Sequence, residues 1–155
     1  MPEMELQPDE TLVEEWHPRF SVFLRKLIFV AFVTSLFLGG IGSWFGGGLY
    51  WLAGLPLAMA CYVLIFDDYT EWMRHRKDIW QLTNQRLIFQ NGLNGQASAD
   101  VALTDIRQVK LSMWWALKLG LSNGQTTVMK FLPGRENVRT AITAARARCL
   151  ETANG

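Results

Sequence analysis

The stretch Trp80–Gly92, with the sequence WQLTNQRLIFQNG, alternates apolar and polar side chains and contains turn-forming residues. Such alternation is typical of antiparallel strands that bury one face and expose the other to water. The stretch therefore predicts two short strands, Trp80–Thr83 and Arg86–Gln90, joined by a tight turn. The apolar side chains expected to face the interior are Leu82, Leu87 and Phe89.

Strand-like composition continues from this hairpin as far as Leu132. The further predicted strands are Ala99–Leu103, Val109–Met113, Ala116–Leu121 and Thr126–Leu132. Turn signals separate them at Asn91-Gly92, Asn94-Gly95 and Ser122-Asn123-Gly124. After Pro133-Gly134 the apolar period becomes helical, with a stripe formed by Val138, Ala141, Ile142, Ala145 and Cys149. The pattern predicts a barrel of six or seven antiparallel strands closed by one carboxyl-terminal helix.

Two uncharged stretches, Leu27–Phe45 and Gly48–Phe66, precede the sheet, and each contains nineteen residues. A helix of that length spans roughly 28 Å, close to the ~30 Å hydrocarbon core of a bilayer. The rest of the 155-residue chain is too short to bury two uniformly apolar helices. The sequence therefore predicts a transmembrane hairpin with the glycine-rich connection Gly39–Gly48. It divides the chain into an acidic lead-in over 1–20, the hairpin over 21–73 and a sheet domain over 74–155.

Charge is distributed unevenly along the chain. Up to Met73 there are three basic and nine acidic residues, a net charge of −6, whereas from Arg74 onward twelve basic and five acidic residues give +7. The basic residues that flank the outer ends of the hairpin are Arg19, Arg25, Lys26, Arg74, Arg76 and Lys77. Because basic flanks stay on the cytoplasmic side, both termini are expected in the cytoplasm and the glycine-rich connection on the opposite side.

Residues that could support catalysis or hold a cofactor are scattered. The two cysteines and two histidines lack ligand spacing, so no metal or other cofactor is expected. No phosphate-binding glycine loop, nucleophile–histidine pair or carboxylate pair is recognisable in the sheet domain. The sequence predicts a protein that is not an enzyme, and no nucleic-acid partner is expected.

A specific resemblance rests on Trp80–Ile88 (WQLTNQRLI) followed by Gly92, and on Val101–Ile106 (VALTDI) followed by Val109. With these motifs the chain resembles the bacterial membrane-associated PH family, the DUF304 or bPH2 type. Leu6–Glu10 and Trp16–Pro18 also resemble the lead-in of that family. The resemblance implies an α+β protein of the bacterial inner membrane, with a transmembrane hairpin followed by a PH-like antiparallel barrel and one carboxyl-terminal helix. It implies binding or assembly, not catalysis.

The first functional hypothesis is an interaction module that helps assemble, or is an accessory subunit of, a larger membrane protein complex. The resemblance makes a bioenergetic complex one candidate and leaves a homo-oligomer open. Trp114 and Trp115 are the candidate partner contacts, because neighbouring residues on a strand point to opposite faces and one of the two would be exposed. The alternative is that both pack into the interior.

The second hypothesis is an anionic-lipid-binding module. The candidate lipid contacts are Arg74, Arg76, Lys77, Arg86, Lys110 and Lys118, because basic residues near an anionic leaflet are attracted to it. The uncharged turn Asn91–Gly95 argues against recognition of one specific headgroup. For Arg86 an alternative is structural, namely an ion pair with Asp105 that joins two strands.

Overall fold

The computed structural model of the protein has an α+β fold and describes residues 7–44, 60, 68–92, 98–112 and 115–154. It contains two antiparallel sheets and a long apolar helix near the amino terminus, and a further helix forms the carboxyl end. The chain divides into two compact units. One consists of Met1–Arg19 with His75–Gly155, and the other is Phe20–Arg74.

The described helices and strands follow one another in a simple order. The strands are β1 Leu12–Trp16, β2 Ile79–Thr83, β3 Arg86–Gln90, β4 Ser98–Ala102, β5 Ile106–Ser112, β6 Ala116–Leu121 and β7 Thr126–Lys130. The helices are α1 Phe20–Trp44, α2 Asp68–His75 and α3 Arg135–Asn154, with a short 3-10 turn at Leu103–Asp105. Every strand after α2 therefore confirms a predicted one, with shifted ends at β2, β4, β5 and β7.

Two separate antiparallel sheets replace the single closed barrel that the sequence predicted. The four-stranded sheet has the order β1-β2-β3-β4, and the three-stranded sheet has the order β5-β6-β7. The chain passes between them through the 3-10 turn, where Leu103 and Ile106 are fully buried. Burial of these two side chains turns the backbone out of the first sheet, which is why the predicted strand Ala99–Leu103 ends at Ala102.

One core lies between the two sheets and α3. Leu82 and Leu87 enter it from the four-stranded sheet, and Leu117 and Met129 enter it from the three-stranded sheet. From α3 the core receives Val138, Ile142 and Ala145, with Ala141 and Cys149 packed against it. The helical stripe predicted from the sequence is thus confirmed, and so is the inward direction of Leu82 and Leu87. Phe89 is partly buried, and its ring centroid lies 4.6 Å from that of Trp80.

The end of β7 is set by Phe131, which has a φ of 58°. This left-handed conformation is unfavourable for a residue with a side chain, so it stops the strand that was predicted to reach Leu132. Burial compensates, because the Phe131 side chain is completely enclosed. Its amide donates to the carbonyl of Trp115 at 2.7 Å, and its carbonyl accepts from the amide of Arg19 at 3.0 Å.

The first strand comes from the segment that the sequence analysis assigned to a lead-in. β1 pairs with β2 in antiparallel register, with Trp16 opposite Trp80, and Trp16 joins the common core. The pairing is interrupted by an irregularity between Leu12 and Glu14. This irregularity explains why LVEEW lacks the clean alternation that would have marked it as a strand.

The unit Phe20–Arg74 contains α1 and α2. Within α1, the segment Phe20–Phe37 is long and apolar enough to cross a membrane, judged by length and composition. One stripe of this helix is buried, formed by Phe23, Leu27, Ala31 and Ser35, and another is exposed, formed by Phe20, Leu24, Ile28 and Phe32. The second predicted span, Gly48–Phe66, lies outside the described residues except for Ala60.

Candidate functional site

The six basic residues proposed as lipid contacts lie in three places. Arg74 is in the last turn of α2, and Arg76 and Lys77 are exposed in the turn that follows. Arg86 begins β3. Lys110 on β5 and Lys118 on β6 lie directly opposite each other. The structure therefore brings together only one pair of the predicted strand residues, Lys110 and Lys118.

Arg86 is engaged in an internal ion-pair network. Its Nε donates to Oε1 of Glu10 at 2.8 Å and its Nη2 donates to Oε2 of Glu10 at 2.9 Å, which is a two-point contact. Its Nη1 donates to Oδ2 of Asp100 at 2.9 Å. The structural role considered for Arg86 fits these contacts, but the predicted partner Asp105 was wrong. Asp105 is the last residue of the 3-10 turn and accepts from Ser122 Oγ instead, whereas Asp100 lies on the strand next to Arg86.

Glu10 is the centre of that network, and its side chain is fully enclosed. Besides Arg86, it accepts hydrogen bonds from Thr83 Oγ1 at 2.7 Å and from the amide of Gln7 at 2.9 Å. Hydrogen bonds from Arg86 to the charged form are the main reason that the pKa of Glu10 falls from 4.5 to about 2. The network fixes the segment before β1 to the sheet and occupies the Arg86 guanidinium. Sequence reasoning missed Glu10, since its partner is far away along the chain.

The outward side of the three-stranded sheet is the strongest candidate for a binding surface. We call it the basic sheet face and define it by Gln108, Lys110, Ser112, Lys118, Gly120, Thr126 and Val128. These residues are opposite or diagonal neighbours across the three strands, and they alternate with the inward residues Leu117, Leu119 and Met129, which are fully buried. Lys110 and Lys118 are both exposed.

The tryptophan pair is only partly described. Trp114 lies outside the described residues, and Trp115 is half-buried in the turn between β5 and β6. The expectation that Trp115 lies on a strand was therefore wrong, because β5 ends at Ser112 and β6 begins at Ala116. Its role as a partner contact stays a prediction.

A histidine–carboxylate pair joins the last residue of α2 to the turn that follows. His75 Nδ1 lies 2.7 Å from Oδ2 of Asp78, whose side chain is nearly fully buried. Burial is the main cause that raises the pKa of Asp78, and the His75 contact opposes it. Among the residues that the structure describes, no group of three or more histidine, cysteine or acidic side chains could hold a metal ion.

A buried ion pair occurs within the unit Phe20–Arg74. Lys26 Nζ on α1 lies 2.7 Å from Oδ1 of Asp68 at the start of α2, and 3.7 Å from Oε2 of Glu71. Nearby, the rings of Phe23 and Trp72 stack with centroids 5.4 Å apart. The first turns of α1 therefore pack against α2. The sequence signal for this pair was that Lys26 directly precedes the first uncharged stretch and Asp68 follows the second by two residues.

The resemblance to the bacterial membrane-associated PH family is supported only by the sequence motifs in Trp80–Ile88 and Val101–Ile106. No protein-family model matches the chain, and no curated protein matches it.

Proposed function

We propose that the chain is a non-enzymatic, membrane-anchored interaction module of the bacterial membrane-associated PH (DUF304, bPH2) type. In this proposal it is an assembly factor or accessory subunit of a larger protein complex in the bacterial inner membrane. The observation that carries it is the pairing of β1 with β2. In the sequence these two strands lie on either side of the whole apolar block. In this proposal the transmembrane anchor is therefore an insertion between two paired strands of the sheet domain.

The strand pairing constrains how the apolar block can cross a membrane. Open sheets do not occur in the lipid-exposed hydrocarbon region, so the paired strands β1 and β2 must lie on the same side of the membrane. A segment that leaves β1 and returns to β2 must cross an even number of times. If α1 crosses once, a second crossing is required before α2, and Gly48–Phe66 is an uncharged stretch of the necessary length.

Contacts within the unit Phe20–Arg74 support the same hairpin. Lys26 meets Asp68, and Phe23, three residues earlier, meets Trp72, four residues later. When earlier residues of one segment contact later residues of the other, the two segments run antiparallel. The midpoint between Lys26 and Asp68 is Gly47, inside the glycine-rich stretch expected to connect the two spans. A two-span hairpin with both ends in the cytoplasm fits these contacts.

The arrangement of the sheet domain supports the PH-like part of the proposal. Seven antiparallel strands in two sheets share a core, and one carboxyl-terminal helix packs into it. Strands followed by one helix is also the order expected of the family that the motifs in Trp80–Ile88 and Val101–Ile106 resemble. Such a domain offers rigid outward sheet faces for a partner.

Co-purification tests the interaction directly. We expect the tagged full-length protein, extracted in mild detergent, to retain a membrane protein at a stoichiometric level, identified by mass spectrometry. Alanine at Trp114 or Trp115 should reduce recovery of that protein at least tenfold, with little change in melting temperature, if the side chain is a hot spot.

The matched control is Leu12→Ala, which shortens another exposed apolar side chain, 47% accessible on β1. This variant should retain the partner. The proposal is contradicted if no protein is retained stoichiometrically in any mild detergent. The tryptophan assignment is wrong if both alanine variants stay folded and keep every co-purifying protein.

Binding of anionic lipids is the second candidate function. It is favoured by one observation, the direct opposition of Lys110 and Lys118 on an exposed face.

A further inference from the structure

The basic sheet face places two lysines where like charges repel. Lys110 on β5 and Lys118 on β6 are direct cross-strand partners, so their Cβ atoms are about 5 Å apart. Directly opposite like charges destabilise a sheet unless something neutralises them. Among the described residues, neither lysine has an ion-pair partner.

The composition of the face leaves this positive charge uncompensated. No acidic residue occurs in the three strands that build it, over 106–112, 116–121 and 126–130. Beside Lys118 on β7 lies Val128, which is 40% exposed. The face therefore combines ammonium groups with small, uncharged neighbours that let an anion approach.

The four-stranded sheet has the opposite character. Its outward side carries Glu15 and Asp100, and its one arginine, Arg86, is neutralised by Glu10 and Asp100. Glu15 is itself hydrogen-bonded to Gln81. The two sheets of this domain thus differ in the sign of their charge. The four-stranded sheet therefore offers an anion no unpaired cation of this kind among its strand residues.

We propose that the basic sheet face binds phosphate groups of anionic membrane lipids, with one phosphate held between Lys110 and Lys118. The occupant is argued from charge complementarity, and the inference rests on the proposed membrane anchor, which keeps the domain beside a polyanionic surface. Lysine ammonium groups are point charges without a fixed fork geometry. The face should therefore select lipids by charge and not by the shape of one headgroup.

The test uses the full-length protein in nonionic detergent at low salt, titrated separately with phosphatidylglycerol and phosphatidylcholine. Lipid retention is measured by native mass spectrometry. The wild-type protein should retain phosphatidylglycerol in preference to phosphatidylcholine. In the double variant Lys110→Gln/Lys118→Gln, the affinity for phosphatidylglycerol should fall roughly 30-fold. This fold-change corresponds to the loss of about 1 kcal/mol of binding free energy for each of the two lysines.

The control variant Arg139→Gln/Arg148→Gln removes the same charge from exposed positions of α3. It should keep the wild-type preference. The lysine variant should melt at or above the wild-type temperature, because it removes a like-charge pair. The control loses only the exposed Arg139–Glu136 ion pair and should melt within a few degrees of the wild-type protein. An equal loss in the control would show that net charge, not the basic sheet face, attracts lipid. Unchanged retention in the Lys110→Gln/Lys118→Gln variant would also overturn the proposal.

Two further readouts separate this inference from the function on which it rests. Alkaline carbonate should leave the wild-type protein and the lysine variant in the membrane, because the hairpin remains intact. Extraction of the wild-type protein would contradict the anchor itself. If the lysine variant keeps its lipid but loses a co-purifying protein, the basic sheet face is a protein interface and the lipid proposal is wrong.

Discussion

Replacing Arg86 with alanine is expected to destabilise the protein by about 3–5 kcal/mol, because it leaves a buried carboxylate without its cation. The Glu10 side chain is fully enclosed and receives two hydrogen bonds from Arg86. Unfolding of the full-length protein in mild detergent, followed by tryptophan fluorescence, measures the loss. The matched control is Asp100→Asn, which removes only the partner that is 59% exposed and should cost less than about 1 kcal/mol.

Acid titration checks the same interaction independently. The pKa of Glu10 is lowered from 4.5 to about 2 in the folded protein. Its contribution to stability is therefore fully present above pH 4.5 and is lost as the pH falls toward 2. In the Arg86→Ala variant the free energy of unfolding should lose the part of its decrease between pH 4.5 and 2 that protonation of Glu10 causes in the wild-type protein. Equal stability of the variant and the wild-type protein at neutral pH would show that the network is dispensable.

The substitution Ile142→Asp is expected to cost more than about 4 kcal/mol, because it places an unpaired charge in an apolar core. Ile142 is fully buried in the core that α3 shares with the sheet domain. We expect the variant to be unfolded or recovered only in trace amounts, as judged by its melting profile. The control Ala144→Asp, at an exposed position of the same helix, should stay near the wild-type melting temperature. Wild-type melting of Ile142→Asp would mean that α3 does not dock on the sheets.

Periodicity explains which parts of the fold could be predicted. The stripe of α3 and the strand β6 follow from local periodicity, since each buries one face against the same core. The break between the sheets could not be predicted, because Ala99–Leu103 continues an apolar pattern with no glycine or proline to interrupt it. Only the shared burial of Leu103 and Ile106 requires the turn.

Long-range pairing explains what the sequence left open. β1 pairs with a strand beyond the whole apolar block, and nothing in LVEEW indicates that partner. For the same reason the sequence did not indicate Glu10 as the partner of Arg86, since Glu10 reaches Arg86 only through this pairing. The opposition of Lys110 and Lys118, by contrast, follows from one hairpin and needed only the position of the turn at Trp115.

The proposed hairpin leaves and re-enters a sheet domain that we expect in the cytoplasm, and cysteine labelling in intact cells tests this topology most directly. In a background lacking Cys61 and Cys149, single cysteines are placed at Ser43, in the last turn of α1, and at Ser122, between β6 and β7. We predict that a membrane-impermeant maleimide labels the Ser43→Cys protein in intact cells, and that it labels the Ser122→Cys protein only after the membrane is permeabilised. Labelling of Ser122→Cys but not Ser43→Cys in intact cells would contradict the account.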